Sequence, residues 1–274
     1  MTIFEELFSL EGKNALVTGG ASGIGRMIST ALVRAGADVM IASRKGEDCV
    51  ASAEELNIMA SKSGAKGSAQ GFGGNVASEQ GVEMLADEVK ERCDKLDILF
   101  NNAGATWGAP VEEFPHQAWS RVLDVNVTGL FSLTQKLLPL LEASATQSGP
   151  SRVVNIGSVM GSAALGDGAY SYAASKAAVH HLTRILGKEL AHRNITFNAI
   201  APGPFKSKMT AFATDTDEKV ERVGSSVPLQ RIGEPQDIAG AVLYLCGAGG
   251  AYVTGAILPV DGGIHVETGD ELFS

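Results

Sequence analysis

A glycine-rich segment near the amino end constrains the fold of this chain more than any other feature. Residues 14–18 form a short, mostly apolar run, and Gly19, Gly23 and Gly25 follow with the spacing Gly-x-x-x-Gly-x-Gly. Apolar residues at helical spacing come next: Met27, Ile28, Ala31 and Leu32. Glycines between a buried strand and a helix let the backbone approach a pyrophosphate, which the free N–H groups of the helix N-terminus attract. The segment therefore predicts a strand, a dinucleotide-binding turn and a helix.

Strand-like and helix-like segments alternate along the rest of the chain. The strand-like segments are 15–18, 38–42, 67–73, 98–101, 152–156, 196–201 and 256–259. The amphipathic, helix-like segments are 23–35, 47–63, 79–92, 117–143, 172–192 and 235–246. No linker-like or low-complexity tract interrupts them, so we predict one domain over residues 1–274. The alternation predicts an α/β fold with a doubly wound parallel sheet and helices on both faces.

Composition and charge exclude several classes of function. The net charge of −9 disfavours nonspecific binding to nucleic acids and to anionic membranes. The apolar runs are shorter than the roughly 20 residues that cross a bilayer. Glu5 and Glu6 near the amino end argue against a signal or transit peptide. We expect a cytoplasmic protein with neither a nucleic-acid nor a membrane partner.

The cysteines and histidines do not form a metal-binding pattern. Cys49, Cys93 and Cys246 are far apart in sequence and have no metal-ligand spacing. His180 and His181 are adjacent, so on a helix they point about 100° apart and are poorly placed to bind one ion. We predict no metal site, and we interpret the two histidines as packing or interface residues.

A tyrosine and a lysine four residues apart form the main candidate catalytic pair. Tyr172 and Lys176 lie within a helix-like segment, and residues i and i+4 of a helix share a face. A phenol has a reference pKa near ~10, and a nearby cation favours the phenolate. The hydroxyl of Ser158, upstream of the pair, would hold the oxygen that gains or loses the proton. The pattern predicts a proton-transfer site.

Taken together, these motifs resemble the short-chain dehydrogenase/reductase family over nearly the whole chain. Residues 18–25 match its cofactor motif, and residues 101–104 match its Asn-Asn-Ala-Gly motif. Pro202 and Gly203 match a Pro-Gly motif that follows a late strand, and Ser207 replaces the threonine that usually follows it. The resemblance implies a Rossmann-type fold. The cofactor contacts that it implies at these motifs are Gly19, Ser22, Gly23, Ile24, Gly25, Asn102, Ala103, Gly104, Pro202, Gly203, Phe205 and Ser207.

The same resemblance implies roles for four catalytic residues, Asn126, Ser158, Tyr172 and Lys176. In the reducing direction, Tyr172 would donate a proton to the carbonyl oxygen while Ser158 hydrogen-bonds that oxygen. Lys176 would bind the nicotinamide ribose and lower the pKa of the tyrosine, so Tyr172 and Lys176 also count as cofactor contacts. Asn126 would hold a water molecule that links the lysine to solvent.

The end of the second strand indicates which nicotinamide cofactor is bound. An acidic residue there would hydrogen-bond the adenosine ribose of NAD and repel a 2′-phosphate. This chain has Ser43 and Arg44 instead, and a guanidinium can donate two hydrogen bonds to a phosphate. Asn75 and Val76 occupy the positions where the family usually has Asp-Val beside the adenine. We predict a preference for NADP(H) over NAD(H).

The predicted function is therefore that of an oxidoreductase that interconverts a ketone and a secondary alcohol. Further similarity, around Trp107 and in residues 137–141, 155–158 and 201–205, is to the β-ketoacyl reductases of rhamnolipid biosynthesis. A 3-oxoacyl thioester is thus one candidate among small-molecule carbonyl substrates. If the substrate were bound to an acidic carrier protein, basic residues would be needed: Lys206, Lys208, Arg222 and Arg231 are candidates. The alternatives are an NAD-dependent alcohol dehydrogenase of the same fold and a non-catalytic NADP-binding regulator.

Two further expectations concern assembly and access to the site. Family members are usually tetramers or dimers, and the helix that carries Tyr172 is rich in apolar residues, so we expect a homo-oligomer. Residues 205–230 have few strand signals and follow the Pro-Gly motif. We predict that they form a lid over the substrate.

Overall fold

A parallel seven-stranded sheet organises the described part of the chain, which in this computed structural model comprises residues 2–165 and 168–266. The strands are β1 (Asn14–Thr18), β2 (Asp38–Ser43), β3 (Ser68–Gly73), β4 (Ile98–Asn101), β5 (Ser151–Ile156), β6 (Ile195–Pro202) and β7 (Ile257–Val260). Their order is β3-β2-β1-β4-β5-β6-β7. Each predicted strand is confirmed to within about one residue at either end. The ends of the predicted domain and residues 166–167 lie outside the described residues.

The helices connect successive strands and cover both faces of the sheet. They are α1 (Ile3–Phe8), α2 (Gly23–Arg34), α3 (Gly46–Ser63), α4 (Glu79–Arg92), α5 (Gln117–Leu123), α6 (Leu130–Ser144), α7 (Tyr170–Glu189), α8 (Ala211–Thr214), α9 (Asp217–Ser225) and α10 (Pro235–Cys246). Short 3-10 turns span Val111–Glu113, Val159–Gly161, Ala191–Arg193, Ala248–Gly250 and Ile264–Val266. No helix in the described residues is long and apolar enough to cross a membrane.

Two apolar cores hold the helices against the sheet. On one face, buried side chains of α2, α3 and α10 pack on the sheet, Ile28, Leu56 and Val242 among them. On the other face, α4, α6 and α7 contribute side chains such as Val89 and Leu137. Because both faces of the sheet are covered, the central strands β5 and β6 are buried at every residue rather than at alternate ones. The predicted doubly wound α/β fold is confirmed.

The predicted helix 117–143 is interrupted, which corrects the sequence-based expectation. A π-helical turn, Asp124–Gly129, separates α5 from α6. Gly129 has no side chain there because a Cβ would overlap the main-chain oxygen of Val76, after β3. Such turns insert one residue into a helix and often occur at functional sites. This one carries Asn126.

The strand order reverses direction between β1 and β4. In open α/β sheets, ligands bind outside the carboxyl ends of the strands at such a switch point. The glycine-rich segment follows β1 and the Asn-Asn-Ala-Gly motif begins at the end of β4, so both motifs lie at this edge.

Candidate active site

The glycine-rich turn after β1 is held closed by a hydrogen-bond network with the end of β4. The Asn102 side chain donates to the main-chain oxygens of Thr18 at 2.8 Å and Gly19 at 3.2 Å. The Thr18 hydroxyl oxygen accepts from the backbone N–H groups of Asn102 and Ala103, each at 3.0 Å. Gly19 has a φ of +67°, and a Cβ on Gly25 would overlap the Gly19 carbonyl oxygen. The turn therefore requires glycine at both positions.

The N-terminus of α2 faces the space above this turn. Ser22 is the N-cap residue, but its side chain makes no capping hydrogen bond. The Ser22 side chain therefore leaves the first-turn N–H groups uncapped. An anion that binds at a helix N-terminus needs such uncapped N–H donors. Gly23 has a φ of +54°, and a Cβ there would lie 3.0 Å from the Cβ of Ser207. The segment after β6 therefore passes close over the glycine-rich turn.

The candidate site is a cleft of about 590 Å³ along the carboxyl edge of the sheet. Every predicted cofactor contact lines it, from the glycine-rich turn through Arg44 and Asn75 to Gly203 and Ser207. Phe205 differs in one respect, because its ring is buried and packs against Gly233. The sequence-predicted residues are thus brought together in one place, although their individual roles remain predictions.

The adenosine end of the cleft carries an unpaired cation. Arg44 is exposed and forms no ion pair with any described residue. Ser43 donates to the Lys45 carbonyl oxygen at 3.2 Å, which fixes the end of β2. The Asn75 side-chain oxygen accepts from the Ala77 N–H at 3.0 Å. A free guanidinium beside uncharged side chains suits an anionic group.

At the other end of the cleft, Tyr172 and Ser158 form the candidate acid–base pair. Burial raises the pKa of the Tyr172 phenol above its ordinary value, and the neighbouring Ser158 hydroxyl opposes that shift. Ser158 begins the 3-10 turn Val159–Gly161, and its hydroxyl oxygen accepts from the Met160 N–H at 3.2 Å. The serine is therefore fixed by its own turn and placed against the phenol.

Lys176 is buried below the tyrosine, with only 5% of the residue exposed. Its Nζ lies 5.5 Å from the centre of the Tyr172 ring and donates to the Ile156 carbonyl oxygen at 2.6 Å. Burial lowers the pKa of the ammonium to about 8. The Ser158 hydroxyl lowers the pKa of the phenol, while Nζ of Lys176 is directed to a carbonyl oxygen of β5. The role of Lys176 in lowering the phenol pKa stays a prediction.

Asn126 lies behind the wall of the cleft and is 1% exposed. Its Oδ1 accepts from the Ala105 N–H at 2.8 Å, and its Nδ2 donates to the Ala105 carbonyl oxygen at 2.9 Å. Nδ2 also donates to the Ser175 hydroxyl at 2.9 Å, and that hydroxyl donates to the Tyr172 carbonyl oxygen at 2.7 Å. The side chain thus connects the loop after β4 to the helix of the catalytic pair.

Several residues that sequence reasoning missed also line the cleft: Leu85, Arg121, Asp124 and Val125. Lys208 and Thr210, from the predicted lid, line it as well. The Thr210 hydroxyl donates to the Phe205 carbonyl oxygen at 2.6 Å and lies 3.0 Å from the Ser207 hydroxyl. Nζ of Lys208 is 4.0 Å from a carboxylate oxygen of Asp48, at the start of α3. The Thr210 contacts lie within one segment, whereas the contact between Lys208 and Asp48 joins segments distant in sequence, and no local pattern could reveal it.

The aromatic residues near the site pack mainly on one another. Tyr170 meets Phe114 edge to face, with ring centres 5.2 Å apart, and Phe114 meets Trp119 at 6.0 Å. The Arg121 guanidinium lies over the Trp107 ring, 5.2 Å from its centre. Tyr170 is not among the residues that line the cleft. Of the two neighbouring tyrosines, Tyr172 is the one that lines the cleft. Within residues 2–165 and 168–266, no three His, Cys, Asp or Glu side chains group as metal ligands.

Comparison with known proteins gives a consistent result. A family model described as Enoyl-(Acyl carrier protein) reductase matches residues 19–265. The rhamnolipids biosynthesis 3-oxoacyl-[acyl-carrier-protein] reductase of Pseudomonas aeruginosa is 45% identical over 259 residues, which cover 94% of this chain and 98% of that protein. The 5-keto-D-gluconate 5-reductase of Escherichia coli K12 is 36% identical over 263 residues, covering 95% of this chain and 98% of that protein.

A solved structure has the same fold. The Pseudomonas aeruginosa RhlG/NADP active-site complex matches with a TM-score of 0.88 and 45% identity. The match covers 95% of this chain and 99% of that chain.

Proposed function

Because the chain belongs to the short-chain dehydrogenase/reductase family, we propose that it is an NADP(H)-dependent oxidoreductase that interconverts a ketone and a secondary alcohol. One observation carries the proposal: Ser158, Tyr172 and Lys176 line the same cleft as the glycine-rich turn and Arg44. We further propose that residues 1–274 form a single functional domain in which 205–230 act as a lid.

The described residues fit a dinucleotide with a 2′-phosphate. The turn at Gly19 and Gly25 leaves no room for side chains, so a pyrophosphate could contact the backbone directly. The N-terminus of α2 would supply N–H donors to it. Arg44, which has no carboxylate partner among the described residues, would pair with the 2′-phosphate. The structure of RhlG, the 45% identical neighbour, is described as an NADP complex, which supports this choice.

The catalytic proton would move through Tyr172. When bound, the nicotinamide supplies the hydride chemistry. Tyr172 would donate its phenolic proton to the substrate oxygen in reduction and accept it in oxidation, because its hydroxyl lies in the cleft beside Ser158. The Ser158 hydroxyl would hydrogen-bond the same oxygen. Burial keeps the phenol protonated near neutral pH, which suits a general acid.

Lys176 and Asn126, which are both buried beside the cleft, would support this proton transfer. The Lys176 ammonium would bind a ribose hydroxyl and supply positive charge near the phenolate that forms in reduction. The Asn126 side chain is already used by Ala105 and Ser175, so it would hold the loop after β4 and the start of α7 at a fixed distance.

For the substrate, we propose a 3-oxoacyl thioester, since the 45% identical relative is named as a 3-oxoacyl-[acyl-carrier-protein] reductase and is matched over 98% of its length. The charges do not favour a carrier protein as an essential partner. Arg231 is bound by the Asp237 carboxylate at 2.6 and 2.9 Å, and Lys208 lies near Asp48. Only Lys206 and Arg222 of the predicted basic patch are left exposed without an ion pair to a described residue.

Steady-state NADPH oxidation with a substrate panel tests the proposal. The panel holds 3-oxoacyl-CoA esters, their carrier-protein counterparts, 5-keto-D-gluconate and simple diketones, with NADH as the second cofactor. We expect turnover of the CoA ester with NADPH and no large gain from the carrier protein. Turnover of 5-keto-D-gluconate and of no thioester would show that the substrate is a sugar acid rather than a 3-oxoacyl thioester. A preference for NADH would support the NAD-dependent alternative, and NADPH binding without any turnover would support a regulator.

We also propose that the chain is a cytoplasmic homo-oligomer, either a tetramer or a dimer. The supporting observation is that Phe131 on α6 and Ile185 on α7 are 40% and 45% exposed although both are large and apolar. Sedimentation velocity at micromolar concentration measures the state, with Ile185→Glu as the test variant and Ile58→Glu on α3 as the exposed control. A wild-type monomer would contradict the proposal.

A further inference from the structure

His180 is a buried histidine one helical turn beyond Lys176 on α7, and the proposed chemistry gives it no role. Only 2% of the residue is exposed. Its Nδ1 lies 3.2 Å from the Ser162 hydroxyl, and its Nε2 has no hydrogen-bond partner among the described residues. Its neighbour His181 is exposed. A buried ring with only one polar contact needs another reason for its position.

The segment that carries Ser158 wraps around this imidazole. Gly157 immediately precedes the serine, and a Cβ on Gly157 would overlap Nε2 of His180. A Cβ on Gly161 would lie 2.8 Å from Cε1 of the same ring. Neither glycine has a positive φ. At Gly157, glycine is therefore needed for contact with the ring rather than for an unusual backbone conformation.

The other side of the segment is held by the sheet and by its own turn. The Gly157 N–H donates to the Ile200 carbonyl oxygen of β6 at 2.8 Å. The Gly161 N–H donates to the Ser158 carbonyl oxygen at 2.9 Å. The backbone around Ser158 is thus enclosed between β6 and the His180 ring. Removal of the ring would free the side of the segment that faces α7.

We propose that His180 is a positioning residue: its ring, seated against Gly157 and hydrogen-bonded to Ser162, fixes the segment that places Ser158 against Tyr172. The inference rests on the proposed function, in which Ser158 holds the reacting oxygen. The ring is neutral near pH 7, since burial together with the charges of Arg184 and Lys176 lowers its pKa to about 4. A neutral ring can remain there without a counter-ion.

The first experiment tests the contact and needs no enzymatic activity. Urea unfolding is measured for Gly157→Ala, His180→Ala and the double variant. Because the added methyl overlaps the ring only when the ring is present, Gly157→Ala should destabilise the His180→Ala protein less than the wild type. Residues in contact give non-additive effects, whereas independent sites add. Additive losses would overturn the contact on which the proposal depends.

The second experiment measures the Tyr172 phenol, again without turnover. The pKa of Tyr172 is taken from the absorbance difference between each protein and its Tyr172→Phe counterpart. The Ser158 hydroxyl lowers that pKa, so Ser158→Ala should raise it and His180→Ala should raise it too. His181→Ala is the matched control and should leave it unchanged. If the Tyr172 pKa of a folded His180→Ala protein equalled that of the wild type, the proposal would be wrong.

The third experiment separates positioning from general structural damage. On the carbonyl substrate identified above, His180→Ala should lower kcat about 10-fold or more, while the affinity for NADPH stays nearly constant. The ~10²–10⁴-fold that acid–base catalysis supplies is the upper limit of this loss. His180→Asn, which can still bond Ser162, should recover part of the loss. In a Ser158→Ala background, His180→Ala should add little, because both act through the serine. An equal loss in both backgrounds would contradict the inference.

An inactive wild type would contradict the proposed function, and the first two experiments would still decide the role of His180.

Discussion

The Lys176 ammonium donates a 2.6 Å hydrogen bond to the Ile156 carbonyl oxygen, at the point where β5 enters the cleft. The carbonyl compensates part of the cost of burying a lysine, and burial still lowers the lysine pKa to about 8. Near that pH the group is only partly protonated. Its charge therefore depends on what else occupies the cleft.

NADP(H) binding should therefore take up protons near pH 8. The phosphates add negative charge to the cleft, which favours the protonated lysine and raises its pKa. At pH 8 to 9, isothermal titration in buffers of different ionisation enthalpy should report uptake of up to about one proton per site, with less uptake near pH 6, where the lysine is already charged. Lys176→Met should abolish the uptake. Identical proton counts in the wild type and this variant would assign the uptake to another group.

Removal of the phenolic hydroxyl should stop turnover but not cofactor binding. For Tyr172→Phe, we expect kcat to fall by at least ~100-fold, because general acid–base catalysis supplies ~10²–10⁴-fold. Stopped-flow fluorescence should show NADPH binding close to that of the wild type. Tyr170→Phe is the matched control, since Tyr170 packs edge to face on Phe114 and does not line the cleft. If Tyr172→Phe retained activity within about 10-fold of the wild type, another group would be the acid.

Replacement of Arg44 should weaken NADP(H) binding selectively. Hydrogen bonds to charged groups contribute ~1.5–3 kcal/mol, so Arg44→Gln should raise the Kd for NADPH by about 10- to 100-fold. The Kd for NADH should change little, because NADH has no 2′-phosphate. Lys45→Gln is the control for charge alone, as Lys45 is exposed and does not line the cleft. If Arg44→Gln raised the Kd for NADPH and NADH equally, Arg44 would not bind the 2′-phosphate.

The strands were predictable because hydrophobic periodicity is a local property. The β5 and β6 segments carry apolar residues on both faces and are buried along their whole length, as in a parallel sheet that is covered on both sides. The π-helical turn Asp124–Gly129 was not predictable. It depends on the close approach of Gly129 to Val76, a contact between distant segments that leaves no periodic signal.

The candidate site also has one part that the local sequence predicts and another that depends on contacts between distant segments. Its reactive groups occur in short motifs, so Tyr172, Lys176 and Ser158 were found from spacing. The groups that hold them in place were not: the Asn126 side chain bonds Ala105, and His180 fills the space beside Gly157. A histidine in an amphipathic helix has no sequence feature that distinguishes ordinary packing from support of a catalytic serine.

The buried His180 ring should make the protein sensitive to acid. Its folded-state pKa of about 4 lies below the ordinary value of 6.5, so the unfolded state binds more protons between these pH values. Stability should therefore be lost as the pH falls from 6.5 towards 4, by roughly 3 kcal/mol from this group. Urea unfolding of His180→Asn should show a smaller loss over that range than the wild type. His181→Asn should keep the wild-type slope, and a wild-type slope for His180→Asn would assign the acid sensitivity to other residues.

Ligand binding should order the segment that follows β6 in two steps. Ser207 already lies against Gly23, so NADPH alone should slow hydrogen exchange around residues 205–210. Protection of α8 and α9 should require the ketone as well, because Phe212 is 81% exposed and the residues around α9 are mostly polar. Tyr172→Phe protein allows this measurement with NADPH and substrate present together, since turnover is blocked. The amides of β5 and β6 serve as an internal reference and should change little. Equal exchange over 205–230 with and without both ligands would show a fixed segment, and substrate selection would then have to arise near Trp107.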